Sequence, residues 1–503
     1  MRSTIGYVLA SASGAAASAA LRRGGAPCFL LALGALGVAS CQDEPLAEEQ
    51  QVPGGLPAEQ LAADEPAAAA HLGAGGKALF EQAFPGTNGR SCATCHVLDD
   101  HTVLSPANVQ ARLRQNPRDP LFNRIDADDP AAPVPTYEHL ENGLVRIVLP
   151  LPDNIDVIDI DGNVTTPAGR TISVWRGVPT VENTAMTGPF LFDGRAATLQ
   201  EQAQGAIRDH SQGGDVTAEK LDRIAAFEHS MFSSVRARFV SNLIDRGVPL
   251  DRIPDPEDVL PLNGQEKRGR DVFKAACEPC HGGPTKQRIV NRAVHDALFF
   301  ALKPDGNVEF TVSPGQAPVA VRVARPGVEF LNIGFGFLSY LGQRGQFPTF
   351  NASVSLPQYR LRFYTDGSRA HQVVDLPPIP QTASGDPFDI NPATDAAGAP
   401  IVGPALAPQW FSTDPGRALI TGDPADFEAF DVPTLRGIAR TAPYFHDNSH
   451  ATLEDVVNSY STIILGFVAE LHLPLGPPET PEGPPEALTP AQKRDLIAFL
   501  QRL

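Results

Sequence analysis

Two stretches of this sequence, Ser91-Cys92-Ala93-Thr94-Cys95-His96 and Cys277-Glu278-Pro279-Cys280-His281, carry the same Cys-x-x-Cys-His spacing. Two residues between the thiols bring both sulfurs to the two vinyl groups of one porphyrin, and the adjacent histidine falls under the iron as its proximal ligand. A zinc or redox Cys-x-x-Cys is the competing reading. A zinc half-site would take its histidine from elsewhere, whereas here it follows the second cysteine both times. Each motif is therefore read as the attachment point of a covalent c-type haem, with His96 and His281 as iron ligands.

Of the six cysteines, four are used by these motifs, and Cys28 and Cys41 lie near the N-terminus, so none remains for a disulfide framework. A chain of 503 residues suits two or more domains with sizeable cores. With 58 acidic against 40 basic residues the net charge is -18, which argues against nucleic acid and steers a basic partner toward the surface.

Near the N-terminus, Arg22-Arg23 are followed by an apolar run from Phe29 to Val38 and then Ala39-Ser40-Cys41, the form of a secretory signal too short for a membrane span. Val38-Ala39-Ser40-Cys41 resembles a bacterial lipobox, so residues 1–41 are read as a signal peptide whose Cys41 becomes the lipid-anchored first residue. An ordinary signal cut nearby is the alternative. Either way the product is exported to the periplasm or cell envelope. Residues 42–70, rich in Ala, Glu, Pro and Gly without apolar periodicity, read as a tether.

An internal repeat sets the architecture. Pro179-Thr180-Val181 through Asp193 and Ala197-Thr198-Leu199 matches Pro433-Thr434-Leu435 through Asp447 and Ala451-Thr452-Leu453 without a gap. Val216–Phe227 echoes Leu488–Phe499, each with an N-cap Thr and apolar residues at helical spacing, and Lys77–Phe80 echoes Arg270–Phe273 upstream of the motifs. The predicted fold is mostly α: two cytochrome c-like domains, 71–260 and 261–503, each with one covalent haem. The second carries an expanded loop and β insertion over about 304–407, which covers its haem, docks a partner or is mere decoration.

The run from Pro433 to Asp447 resembles the second-domain signature of the bacterial di-haem cytochrome c peroxidases and their relative MauG. Asp193-Gly194-Arg195-Ala196, followed by Leu199 and Gln202-Ala203, is similar to that family's first-domain signature. The resemblance implies that the first haem reacts with hydrogen peroxide and the second takes electrons from a small redox donor protein. A MauG-like or oxygenase-like oxidation of another substrate is the alternative, and a plain electron-transfer cytochrome the non-enzyme reading. A homodimer is compatible with all three.

The resemblance also places residues. Gln202 falls on the family's distal Gln and Gln212 on its distal Glu; since an amide cannot carry a proton, nearby His210 is the substitute. The blocking distal His of resting peroxidases falls on Gly169, with His101 and His139 as weaker ligand candidates, so the first iron is expected to be open. Phe192 stands at the bridging tryptophan position, which Trp175 either compensates or merely packs beside. Thr441 and Pro443 match two carbonyls of an interdomain calcium site whose Asn position is Gly177. Tyr460 occupies the axial position of the second haem, a Met in typical peroxidases and a Tyr in MauG, while its repeat partner in the first half is Ala206. Met186 and Met231 read as core.

Overall fold

A computed structural model describes residues 75–278, 280–287, 411–465 and 488–503, with short segments at 307–310, 319–322, 330–332, 335–344, 353–365, 369 and 373–376. The signal, Cys41, the tether and the expected domain start at 71 lie outside the described residues.

In the first half, helix α1 covers 75–81 and the short helix α2, Cys92–Cys95, carries the first motif. Strands β1 (Leu144–Pro150), β2 (Ile155–Val157) and β3 (Thr171–Gly177) follow, with β1 and β3 paired antiparallel from Leu144↔Gly177 to Pro150↔Thr171. Helix α3 (Leu199–Asp209) begins where the Thr198 hydroxyl accepts from the Glu201 amide at 3.1 Å, satisfying one orphan N–H of the first turn. Its buried residues Leu199, Ala203 and Ile207 recur every four positions, so a single face turns inward. Helix α4 (Ala218–His229) packs against it and against the turn at Thr184–Met186.

In the second half, helix α5 (Gly264–Ala276) is capped by Asn263 with Glu266 reaching back, and helix α6 (Leu453–Ser459) by Thr452 with Asp455. A π-helical turn, Tyr460–Leu465, continues α6, and helix α7 (Pro490–Leu500) starts with Pro at its first position under a Thr489–Gln492 capping box. The chemistry at each cap is thus written locally in sequence.

The opening and closing helices of both halves cross in the same way. A Cβ on Gly76 would lie 1.9 Å from the Arg223 carbonyl oxygen, and one on Gly269 would lie 1.9 Å from that of Asp495. Only glycine admits so close a crossing. One turn on, Phe80 meets Phe227 edge-on at 5.2 Å, and Phe273 meets Phe499 at 5.4 Å. Further repeat partners agree: Asn183 and Gly437 take left-handed φ of 70° and 80°, the turns Thr184–Met186 and Ile438–Arg440 follow them, and bridges link Phe190 to Ala196 and Tyr444 to His450. The duplication read in the sequence is therefore present in backbone geometry.

The insertion behaves differently from a decoration of the second half. Two of its strands, Leu361–Tyr364 (β4) and Val373–Leu376 (β5), join the first half's β2 in a separate three-stranded sheet of order β2-β4-β5, with Ile155 opposite Phe363 and Val157 opposite Leu361. All three residues of β2 are buried, and an open edge there would leave its amides unpaired. Leu361, Phe363 and Leu376 accordingly enter one core with Val109, Leu121, Ile147 and Val174. The described helices dominate the two motif-bearing regions, and the strands form small sheets beside them.

Candidate functional site

Both motifs open into one cavity of 1520 Å³, lined by Cys92, Cys95, His96, Cys277, Cys280 and His281. This exceeds the roughly 300–1,000 Å³ of a pocket for one small ligand. The His96 Nδ1 lies 3.1 Å from the Thr102 carbonyl oxygen and the His281 Nδ1 lies 3.2 Å from that of Pro433. Such bonds fix each ring and leave its Nε2 for a metal. Burial lowers both imidazoles to about 4, so they stand neutral, as an iron ligand must.

Burial pushes the thiols of Cys92 and Cys277 up to about 12 and that of Cys280 to about 11, and it raises Cys95 as well. A thioether carries no charge to desolvate in so buried a site, which suits covalent attachment. Among the described residues no group of three or more His, Cys, Asp or Glu is placed to hold a metal ion. The donor set fits covalent haem better than zinc.

Around the first motif, α3 brings Gln202 to the cavity wall, and His210, its C-cap, lines the same wall with Phe192 and Arg195. Burial lowers the His210 imidazole below its ordinary value, and its carbonyl oxygen accepts from the Asn88 side-chain amide at 2.9 Å. Gln212 is outside this group: it sits exposed with φ of 54°, its side-chain oxygen 3.2 Å from the same Asn88 amide nitrogen. His101 contacts Glu182 at 3.4 Å, and neither His101 nor His139 lines the cavity. His139 is held at both nitrogens, by Asp128 at 2.6 Å and the Ser355 carbonyl at 2.8 Å, and stacks on buried Trp175 at 4.0 Å. Gly169 does not line the cavity: it precedes β3 by two residues, and the lining position furthest toward it on this sheet is Ile147, opposite Val174.

Around the second motif the wall is reversed. The repeat partner of Gln202 is Val456, and that of Ala206 is Tyr460, both on the cavity wall. Burial pushes the Tyr460 phenol well above its usual range, with Cys280 and Cys277 adding to the effect, and its ring stacks near Phe445 at 6.0 Å. Met186 and Met231 sit in apolar clusters, and among the described residues no methionine lines the cavity.

Several features joining the halves were not legible in the motifs. Arg176 donates to Asp193 at 2.5 Å and to both oxygens of Asp414 at 2.6 and 2.9 Å, while Arg195 and Arg417 add bonds to Asp193. The Asp of the Asp-Gly-Arg segment thus serves the joint between halves. The Asn183 amide donates to the Arg436 carbonyl at 3.1 Å, and the Gly177 amide donates to that of His446 at 2.7 Å. Thr441 and Pro443 line the cavity, but a Cβ on Gly177 would lie 2.3 Å from the Asn448 Oδ1, and the Asn448 amide nitrogen is committed to the Asn142 carbonyl at 3.1 Å. Asn448 fills the notch left by the missing side chain. The resemblance takes an Asn oxygen at position 177, and here the Asn448 Oδ1 stands at that place instead, so calcium, whose shell of roughly six to eight oxygens is completed by water, would draw on Asn448 with the Thr441 and Pro443 carbonyls.

A family described as "Di-haem cytochrome c peroxidase" matches residues 69–242. A cytochrome-c peroxidase, IdrP2, of Denitromonas iodatirespirans is 23% identical over 363 residues, covering 68% of this chain and 72% of its own. The cytochrome c551 peroxidase of Nitrosomonas europaea is 52% identical over 50 residues, 10% of this chain and 15% of its own. The methylamine utilization protein MauG of Methylophilus methylotrophus is 30% identical over 156 residues, 27% of this chain and 45% of its own. With two Cys-x-x-Cys-His motifs set in a repeated framework around one cavity, these matches make the chain a member of the di-haem cytochrome c peroxidase / MauG superfamily of oxidoreductases.

Proposed function

We propose that the chain carries two covalent c-type haems, held by Cys92, Cys95 and His96 in a domain over 71–260 and by Cys277, Cys280 and His281 in a domain over 261–503. Hydrogen peroxide is reduced at the first, with electrons that a small donor protein delivers through the second. The observation that carries this reading is the asymmetry of the cavity: Gln202 and His210 wall its first end, and Val456 and Tyr460 its second. Bound haem supplies an iron that exchanges electrons with peroxide.

The chain's own residues then handle protons. Reduction of one peroxide to two waters takes two electrons and two protons. Neutral His210 accepts the proton of the entering peroxide at a ring nitrogen and returns it to the leaving oxygen. The Gln202 amide orients the same oxygen as charge builds on it. Arg195, on the same wall, is held by Asp193 at 2.7 Å and keeps a positive charge nearby.

Steady-state turnover of the holoprotein with peroxide and a reduced small cytochrome tests the reading. Turnover lowered by His210→Ala and Gln202→Leu but kept in Gln212→Ala supports it, and no turnover in the parent protein overturns it. A second reading, oxidation of another substrate by the MauG-like route, draws on Tyr460, since a phenolate ligand favours higher iron states. Export, with lipid anchoring at Cys41, completes the proposal; among the described residues no helix is long and apolar enough to cross a membrane.

A further inference from the structure

Helix α4, which closes the first half, carries one acidic residue on its buried face. Glu228 is 2% exposed, lines the cavity beside Cys92, and its Oε2 is enclosed without a hydrogen-bond partner. Its backbone carbonyl is occupied, accepting from the Thr184 hydroxyl and the Met231 amide at 3.0 Å each, so the helix end is fixed. A buried carboxyl without a partner needs an explanation, because an ion there is costly and even the neutral acid loses its bonds to water.

Among the described residues no salt bridge supplies one. On α3, Arg208 pairs with neighbouring Asp209 at 2.7 Å, and Glu201 accepts from the Ala197 amide at 2.9 Å. Beside the turn at 184–186, Glu182 pairs with His101 at 3.4 Å and Arg440 at 3.7 Å. Toward α1, Arg223 packs over Gly75. From α2 the facing group is Cys92, whose thiol is itself pushed up partly by Glu228. Burial alone sets the acidity of Glu228, raising it to about 8.

We propose that Glu228 is the redox-linked proton site of the first haem, taking up one proton when that haem gains one electron and releasing it when the electron leaves. This rests on the haem assignment at Cys92, Cys95 and His96. The balance is one electron and one proton in, with the ferric iron and the Glu228 carboxylate giving ferrous iron and the Glu228 carboxylic acid. The physical reason is local charge: an oxidised haem carries one more positive charge, which favours the carboxylate in a site of low polarity, and reduction removes that support. The proton thereby holds the charge of this closed site constant as electrons pass.

The test is a spectroelectrochemical titration of the holoprotein at several pH values, with the two haems followed separately. Within the window bounded by the acidities of Glu228 in the two redox states, the first haem's potential should fall by about 59 mV per pH unit, a tenfold change in proton activity for a one-electron couple. Glu228→Gln should flatten that slope while leaving the second haem's potential unchanged. A slope that persists in Glu228→Gln overturns the proposal and assigns the proton to another group, such as a haem propionate. Should the variant fail to load haem, the reduced-minus-oxidised infrared difference spectrum of the parent protein decides: a carboxylic-acid C=O band gained on reduction supports the proposal, and its absence overturns it. A protein without haem at the first motif gives no wave there, which defeats the underlying reading and is distinguishable from a pH-independent wave.

Discussion

Arg176 and Asp414 meet as a fork: Nε and Nη2 of the guanidinium donate to the two carboxylate oxygens at 2.6 and 2.9 Å, and both side chains are 2% exposed. Arg176 stands next to last in β3 in the first half, Asp414 follows the insertion in the second, and Asp193 is bonded from the remaining nitrogen. Arg176→Ala strands two buried carboxylates. The expected loss, by chemical denaturation, is about 3–5 kcal/mol, of which Arg176→Lys recovers part because an ammonium cannot reproduce the fork.

The same joint gives an acid limit. Burial would raise Asp193, but Arg176 and Arg195 outweigh it and hold the carboxyl below its ordinary value. A depressed folded value stabilises fully above the unfolded carboxylate value of about 3.9 and loses that contribution as pH falls through the folded one. Thermal melts should therefore drop steeply below about pH 4 in the parent protein and less steeply in Asp193→Asn, whose stability at neutral pH is already lowered.

At the helix crossings, Gly76→Ala and Gly269→Ala each drive a methyl into a carbonyl oxygen of the closing helix. Each should cost about 1–3 kcal/mol or more from overpacking. Each should also lower haem loading at its own motif. Mass analysis of the purified variants checks this against two covalent haems in the parent protein.

His210→Ala should lower peroxide turnover by about 10²–10⁴-fold, the usual contribution of a general base. Burial keeps this imidazole neutral below its ordinary value of about 6.5, so activity in the parent protein should hold at pH 6.5 and fall only at lower pH as the ring takes a proton. A pH profile of turnover, repeated on His210→Gln, checks the assignment: the acid limb should vanish with the imidazole.

Much of this arrangement was legible because it is local. The motifs, the Thr198, Thr452 and Thr489 caps and the gapless repeat are short-range patterns, and the repeat correctly paired Phe80 with Phe273 and Phe227 with Phe499. Counting without a gap worked less well across irregular backbone. It carried the blocking position to Gly169, beyond the far end of β3, and carried the distal acid to Gln212, where the chain has left α3 for a left-handed turn. Contacts between distant segments had no local sign at all. The pairing of Ile155 with Phe363, and the seating of Asn448 in the notch at Gly177, appear only once the chain has folded.

Tyr460→Phe should turn a low-spin second haem high-spin and raise its potential, and Tyr460→Met should give a methionine-type near-infrared band, since a thioether favours ferrous iron and a phenolate ferric. An unchanged spin state and potential in Tyr460→Phe would make Tyr460 a packing residue beside the porphyrin.

The central claim, that the two ends of one cavity hold haems with different tasks, is tested most directly by adding one equivalent of peroxide to the fully oxidised holoprotein and following both haems by optical and electron paramagnetic resonance spectra. The expected result is one high-spin and one low-spin haem, with the high-spin signal, lost on mutation of His96, reacting at once and without prior reduction. Two low-spin haems that ignore peroxide until an electron is added would contradict it, and would point to a ligand such as His210 on the first iron.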